Sequence, residues 1–443
     1  MREFRRRPRV GDILMLEKIK QRQWTRKERF LILSFVPLYF MIAGLFLQKP
    51  SHILIGLYNI VVEPDFLITD YMMIGGIGAA FMNAGILTLF CIWTIYFLGM
   101  EMDGHTITSS FLMFGFSLFG KNVLNIWTIL LGVFLYAYYH KAPLTKYIYV
   151  GFYGTSLSPI ISQMMQLGEL PPLARFLLML FLGMLIGFML PPLSTHVHFA
   201  HRGYSLYNVG FAGGIIATVI VSVMKSFNIK IQSRLIWYEG GNVTFMILLG
   251  LLFLLMILSG LLMHPKKTLQ EYLRILKSPG LAGTDYLKNE GMAATLVNMG
   301  INGIFASAFL VLAGGDLNGP TIGGIMTIVG FSSTGKHIRS ITPVMLGVYC
   351  SSLIMNWDIT DASAQLALLF STTLAPVAGK FGVIPGMLAG FLHASVALNV
   401  GIVYGGMNLY NNGFAGGLVA IFMVPVIQSI EDRIARAREG ISL

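Results

Sequence analysis

The sequence predicts an all-α polytopic membrane protein of about 14 transmembrane segments, in two inverted-topology repeats of seven with short, glycine-rich third and tenth segments. Three observations predict it. Charged residues are 12% of the chain and hydrophobic residues 55%, with a mean hydropathy of +0.71. A soluble domain carries about 25% charged residues, so this chain has too few to clothe a water-facing surface. Apolar runs such as 72–98 and 243–263 are long enough to cross about 30 Å of hydrocarbon as helices. Finally, long blocks recur in order along the chain. A β-barrel would instead alternate in segments of about ten residues.

The repeat is clearest where SLYNVGFAGGI (205–215) returns as NLYNNGFAGGL (408–418), a spacing of 203 (410 − 207). Thr69-Asp70-Tyr71 returns as Thr284-Asp285-Tyr286 at a spacing of 215 (286 − 71), as do Pro50/Pro265, Pro64/Pro279 and Asn83-x-Gly85/Asn298-x-Gly300. GFSLFGK (115–121) meets GFSSTGK (330–336) at the same spacing, and Thr155-x-Leu157-x-Pro159 meets Thr372-x-Leu374-x-Pro376 at 217 (372 − 155).

The organisation that follows is a basic cytoplasmic segment (1–29), a first membrane repeat (30–225), a connecting loop (226–242), a second repeat (243–430) and a basic cytoplasmic tail (431–443). The first repeat reads as spans 30–48, 72–98, 106–120, 123–139, 147–166, 174–193 and 207–225. The second reads as 243–263, 291–313, 321–335, 339–356, 362–378, 382–402 and 412–428.

Charge sets the relative sense of the copies. The loop 50–70 lacks Lys and Arg, while its counterpart 265–285 carries Lys266, Lys267, Arg274 and Lys277. The loop 138–146 is basic and its counterpart around 356–363 is acidic. Opposite signatures place equivalent loops on opposite sides of the bilayer. Lys230 and Arg234 in the connecting loop run against this assignment. The net charge of +11 lies largely at the N-terminus and in a few loops, as in cytoplasmic flanks, so it does not indicate nucleic acid. The first basic run is too long for a cleavable signal. Cys91 and Cys350 lie within apolar spans and form no disulfide framework.

Inverted repeats build secondary transporters, with a midplane site where segments are short and glycine-interrupted. Here those segments are 104–122 and 319–337. The expected substrate-binding residues are Asn83, Thr106, Ser109, Lys121, Asn298, Thr321, Ser332 and Lys336. The hydroxyls and backbone donors of the third spans would orient the substrate. Lys121 and Lys336 would supply charge if they face the cavity rather than snorkel to an interface. The amides would seek partners at their depth. Asp103, Asp316 and His393 are the expected coupling residues. Asn208 and Asn411 begin the seventh spans as candidate caps, with Gly213, Gly214, Gly416 and Gly417 for close approach. His196, His198 and His201 have no acidic companion or HExxH spacing, so a metal is not expected; Asp358 and Asp361 read as solvated loop carboxylates.

The stretches HVHFAHRGYSLYNVGFAGG (196–214) and LNVGIVYGGMNLYNNGFAGG (398–417) resemble an uncharacterised bacterial family of integral membrane proteins of about this length, a domain of unknown function. The resemblance covers nearly the whole chain and implies no functional residue. Seven plus seven inverted spans also look like the uracil permease and anion exchanger fold, which implies a site between 104–109 and 319–324.

The expected function is secondary active transport of a small polar or anionic metabolite by alternating access, coupled to H⁺ or Na⁺, with no enzymatic activity and no cofactor. The alternatives are a passive channel for a small neutral solute and a membrane scaffold without transport. The expected setting is the bacterial cytoplasmic membrane, with both termini cytoplasmic, the lipid bilayer and a small solute as partners, and a homodimer compatible with the chain.

Overall fold

In the computed structural model the described residues are 24–63, 65, 68–165, 170–229, 234–401, 403 and 406–438. Most of the expected 1–29 segment, Lys230 in the connecting loop and the last five residues of the tail lie outside them. The helices are α1 Arg26–Leu47, α2 Pro50–Val62, α3 Tyr71–Gly75, α4 Ile77–Phe97, α5 Gly104–Phe116, α6 Trp127–Tyr139, α7 Ile148–Gly154, α8 Ser158–Met165, α9 Pro172–His201 and α10 Asn208–Ser226. They continue with α11 Asn242–Met263, α12 Pro265–Ile275, α13 Tyr286–Leu312, α14 Gly319–Phe331, α15 Ile338–Ser352, α16 Ala362–Phe370, α17 Ala375–Phe381, α18 Val383–Val400 and α19 Asn411–Arg438. Short 3-10 turns join α7 to α8 at Thr155–Leu157 and α16 to α17 at Ser371–Leu374. Among the described residues the only strands are β1 Ile68–Thr69 and β2 Leu235–Ile236, paired in parallel.

Nine helical stretches among the described residues are long and apolar enough to cross a membrane. They match the expected spans 30–48, 72–98, 174–193, 207–225, 243–263, 291–313, 362–378, 382–402 and 412–428. The chain is therefore a multi-pass α-helical membrane protein, and its exposed apolar residues, such as Phe176, Leu177 and Phe181 of α9, form the lipid-facing surface. The expected spans 106–120, 123–139, 147–166, 321–335 and 339–356 are shorter: α5 and α14 stop inside the protein, a 3-10 turn divides α7 from α8, and α6 and α15 have only 13 and 15 residues.

Two stretches read as loops are helices. Pro50 and Pro265 each sit in the first turn, where the missing proline N–H costs no hydrogen bond, and start α2 and α12. α2 is apolar, with Leu54, Ile55 and Tyr58 exposed. α12 buries Thr268, Tyr272 and Ile275 and turns Lys267 and Arg274 to Glu271.

Several contacts occur once in each half. The Asn83 amide donates to the carbonyls of Ser117 (2.7 Å) and Lys121 (2.8 Å); the Asn298 amide donates to those of Ser332 (2.8 Å) and Lys336 (2.7 Å). The Tyr71 N–H reaches Leu118 O and the Tyr286 N–H reaches Ser333 O. Other contacts join the halves and recur with the halves exchanged. Asp70 accepts from the Gly319 N–H at 3.2 Å, and Asp285 accepts from the Gly104 N–H at 3.2 Å. Gly115 packs on the Gly323 backbone and Gly330 on Thr108, so α5 and α14 run antiparallel side by side. Leu206 donates to Thr373 O and Leu409 to Ser156 O. Phe211 and Phe414 meet with ring centroids 5.7 Å apart, each covered by a glycine of the other half.

Both copies also bend at one place. Gly76 separates α3 from α4 at φ +86°, and Gly291 kinks α13 at φ +83°. This left-handed backbone favours glycine. At Gly76 the Gln48 side chain closes the break, donating to Gly75 O and accepting from the N–H groups of Gly78 and Ala79.

A Cβ on Gly417 would fall 2.4 Å from the Phe211 ring, and one on Gly214 2.5 Å from Phe414. Gly417→Ala and Gly214→Ala are each expected to destabilise the purified protein by about 1–3 kcal/mol, read as lowered melting temperatures. An unchanged melting temperature in both would show that this interface has room to spare.

Candidate functional site

The buried turns after α5 and α14 hold the polar centre of the molecule. Lys121 and Lys336 lie there and are both 0% exposed. They face neither an interface nor bulk solvent. Taking an ammonium from water costs several kcal/mol unless it is paired, and among the described residues neither has a carboxylate within ion-pair distance.

The Lys336 Nζ donates to the Tyr207 Oη at 2.5 Å and the Thr372 Oγ1 at 2.8 Å, and lies over the rings of Tyr207 (4.5 Å) and Phe331 (5.2 Å). The Lys121 Nζ lies over Phe116 at 5.1 Å and donates to Phe152 O at 3.4 Å. Aromatic faces offset part of the desolvation cost. Among the described residues the hydrogen-bond partners of both amines are neutral.

The Asn83 and Asn298 amides hold the two lysine-bearing turns through their Nδ2 groups. Their Oδ1 atoms, like that of Asn302, are buried and have no hydrogen-bond partner among the described residues. Asn302, which has no counterpart amide in the first half, donates to the Ser332 Oγ at 2.7 Å.

A cavity of about 340 Å³ is lined in part by Tyr207 and Phe331, the two rings under the Lys336 amine. His105, Lys146 and His198 line it together with Tyr149 and Tyr153, and Tyr207, Phe331 and Tyr410 belong to it as well. Tyr207 links the cavity to Lys336 through its hydroxyl. Tyr207 and Tyr410 meet with ring centroids 5.3 Å apart, where the two YN-x-GFAGG stretches join. The residues matching Phe331 and Tyr153 in the other half are Phe116 and Phe370. There the two rings stack at 5.8 Å, Phe116 packs on Tyr410 at 4.5 Å, and Phe370 and Leu409 are buried.

The remaining expected residues hold the frame. Thr106 caps α5, bonded to Asp103 and to the Tyr149 Oη at 2.7 Å. Thr321 caps α14 through Asn318 and Asp316 O. Ser109 back-bonds to Thr106 O, and Ser332 to Ile328 O. The starts 104–109 and 319–324 sit at opposite ends of the antiparallel pair, each capped by the other half's aspartate, and do not converge on one point.

Asp103 pairs with Lys288 at 3.1 Å, and Asp316 accepts from the Trp237 indole at 3.1 Å. His393 is buried and bonded through Nε2 to Asn412 at 3.1 Å. Asn208 and Asn411 are not caps, because each is the first residue inside its helix and ties back to the preceding one, at Ser194 O (2.7 Å) and Ala397 O (3.1 Å). Asn208 also meets His201 at 2.9 Å. Asp358 stays in an exposed loop, where the N–H and hydroxyl of Thr360 hold its carboxyl below the ordinary value.

The reading of single residues passed over two groups. Asp70 and Asp285 serve as inter-half caps, although the repeated Thr-Asp-Tyr had marked both. Asp65 is the second, a buried carboxylate bonded to Tyr71, Asn122, Asn125 and Ser162.

A multi-pass helical frame around two buried lysines defines a polytopic membrane protein with a polar interior. The chain belongs to the family described as a protein of unknown function (DUF1576), whose model matches residues 49–226 and 264–429. The two matched stretches begin at equivalent positions of the repeat. No curated protein and no solved structure matches the chain.

Lys336→Met is expected to leave the melting temperature unchanged or raised, since it removes a buried charge that has no counter-ion. Asn298→Ala, which strands two carbonyls, is expected to cost about 1–3 kcal/mol. A loss in Lys336→Met as large as that in Asn298→Ala would mark the ammonium as a structural tie.

Proposed function

We propose that the protein is a secondary active transporter of a small polar or anionic metabolite, working by alternating access and coupled to H⁺ or Na⁺. In this reading the chain crosses the bacterial cytoplasmic membrane 14 times, in two inverted repeats of seven with both termini cytoplasmic. One observation carries it. Contacts repeated between the halves differ around the central tyrosines: Phe331 and Tyr153 line an open cavity, whereas their counterparts Phe116 and Phe370 stack on each other and are buried. A pair of related halves, one opened and one closed, is what a rocking exchange between inward-open and outward-open forms requires.

In this mechanism an anion enters past His105, Lys146 and His198 toward Tyr207. There it draws the Lys336 ammonium away from its hydroxyl partners. Two fixed cations favour a negatively charged solute, since an anion relieves the desolvation both already bear. The inward-open state ends when Phe331 and Tyr153 adopt the packing that Phe116 and Phe370 now have. The opposite half then opens toward Lys121.

The first test is a thermal-shift screen of the detergent-purified protein with carboxylates, inorganic anions, nucleobases, neutral amides and amines, each with and without Na⁺. Native-state binding raises the melting temperature. The expected outcome is stabilisation by one anion class, lost in Lys121→Ala with Lys336→Ala, followed by saturable counterflow of that anion in proteoliposomes. Flux of a neutral solute without saturation would favour a channel instead. Cysteines placed at Tyr153 and Phe370 are expected to react with membrane-impermeant reagents from opposite sides of the membrane. Reaction of both from one side would overturn the inverted arrangement.

A further inference from the structure

Asp65 lies between α2 and β1 and is 0% exposed. One carboxylate oxygen accepts from the Tyr71 Oη at 2.7 Å. The other accepts from the Ser162 Oγ at 2.6 Å, the Asn125 Nδ2 at 2.9 Å and the Asn122 Nδ2 at 3.4 Å. No cation lies within ion-pair distance among the described residues. The matching position of the second half is Gly280, so the repeat itself does not require this group.

The charged and titratable groups around it are few. Glu63, at the end of α2, is engaged by Arg234. Tyr71 belongs to the cluster. Lys121, in the facing turn, directs its ammonium to Phe152 O and the Phe116 ring. Asp70 is committed to backbone N–H groups of Met72, Tyr238 and Gly319. From α8, Ser162 donates to the carboxylate and Gln163 to the Asp65 backbone carbonyl at 3.1 Å.

The two buried aspartates differ in what surrounds them. Asp70 is held by N–H groups alone, which donate and cannot accept, so a proton on it would break bonds with no replacement. Asp65 is held by two hydroxyls as well as two amides. A hydroxyl both donates and accepts. If Asp65 takes a proton from water, the new carboxylic O–H donates to the Ser162 Oγ. The serine hydrogen turns to a carbonyl of the preceding helical turn, the back-bond a helical serine makes. The cluster thus has a satisfied form in either charge state.

We propose that Asp65 is a reversible proton-binding site and the H⁺-coupling group of the transporter. The coupling role rests on the transport reading above; the protonation does not. Charge-assisted hydrogen bonds are about twice as strong as neutral ones. Neutralising Asp65 therefore loosens Asn122 and Asn125, and with them the turn that carries Lys121. That connects proton occupancy on one side of the molecule to the substrate cation of the same half.

The test is infrared difference spectroscopy of the full chain in lipid, acid minus neutral, in H₂O and D₂O. The expected result is a protonated-carboxyl C=O band that shifts in D₂O, is lost in Asp65→Asn, is displaced in Ser162→Ala and Tyr71→Phe, and persists in Asp358→Asn. Absence of the band in the wild type, or its persistence in Asp65→Asn, overturns the proposal. Should Asp65→Asn fail to fold, an unmoved band in both Ser162→Ala and Tyr71→Phe overturns it as well.

Thermal shifts with succinate and inorganic phosphate at two pH values address coupling separately. A stabilisation that depends on pH in the wild type and not in Asp65→Asn supports it. A titrating band together with pH-independent stabilisation, or with none, overturns the coupling role and leaves the proton site standing.

Discussion

A helix that starts inside a membrane protein leaves its first backbone N–H groups with no water to bond. α5 and α14 both start in this way, and the rest of the molecule is arranged around the solution. Each start is capped within its own half by a four-residue box, Asp103 with Thr106 and Asn318 with Thr321. Each is also met by an aspartate of the other half. Neither half can complete its own third helix. The covering halves must stay in contact where those caps form, and the antiparallel glycine-lined pair between them follows from that.

The same requirement explains the Asn83 and Asn298 clamps. Once α5 and α14 stop short, their last carbonyls and those of the following turns need donors. A side-chain amide from the neighbouring long helix supplies two bonds at once. The turns so fixed carry Lys121 and Lys336, so the two lysines are placed by backbone geometry rather than by ion pairs. Their side chains are left with hydroxyl, carbonyl and aromatic neighbours and, among the described residues, no carboxylate.

The membrane class and nine of the long helices were legible in composition and hydropathy, because crossing lipid leaves a long apolar run whatever the tertiary packing. The repeat spacing also marked Asn83, Asn298, Lys121 and Lys336, residues that the structure gathers at the two polar turns. What each does was not legible. A lysine at the end of an apolar segment reads alike whether it snorkels or is buried. Thr106, Thr321, Ser109 and Ser332 look like a polar lining in sequence, yet their hydroxyls are taken up by their own helix and its flanking residues, and by Tyr149 and Asn302. The partners of Asp70 and Asp285 lie 249 and 181 residues away, beyond any local pattern. Asp65 escaped for a different reason: it has no counterpart in the second half, so comparing the copies passes over it. α2 was hidden because an absence of basic residues in 50–70 says on which side a segment lies, not whether it is helical.

The bends at Gly76 and Gly291 share a backbone conformation but not a setting. Gln48 bridges the first with three hydrogen bonds. Met263 stands at the matching place in the second half and has no amide to offer. Straightening or swinging the chain at Gly76 therefore breaks a set of bonds that has no equivalent at Gly291. Two halves built from one plan thus have unequal stiffness at the same joint. In any motion of one half against the other, bending at Gly76 would break the three Gln48 bonds and bending at Gly291 would not.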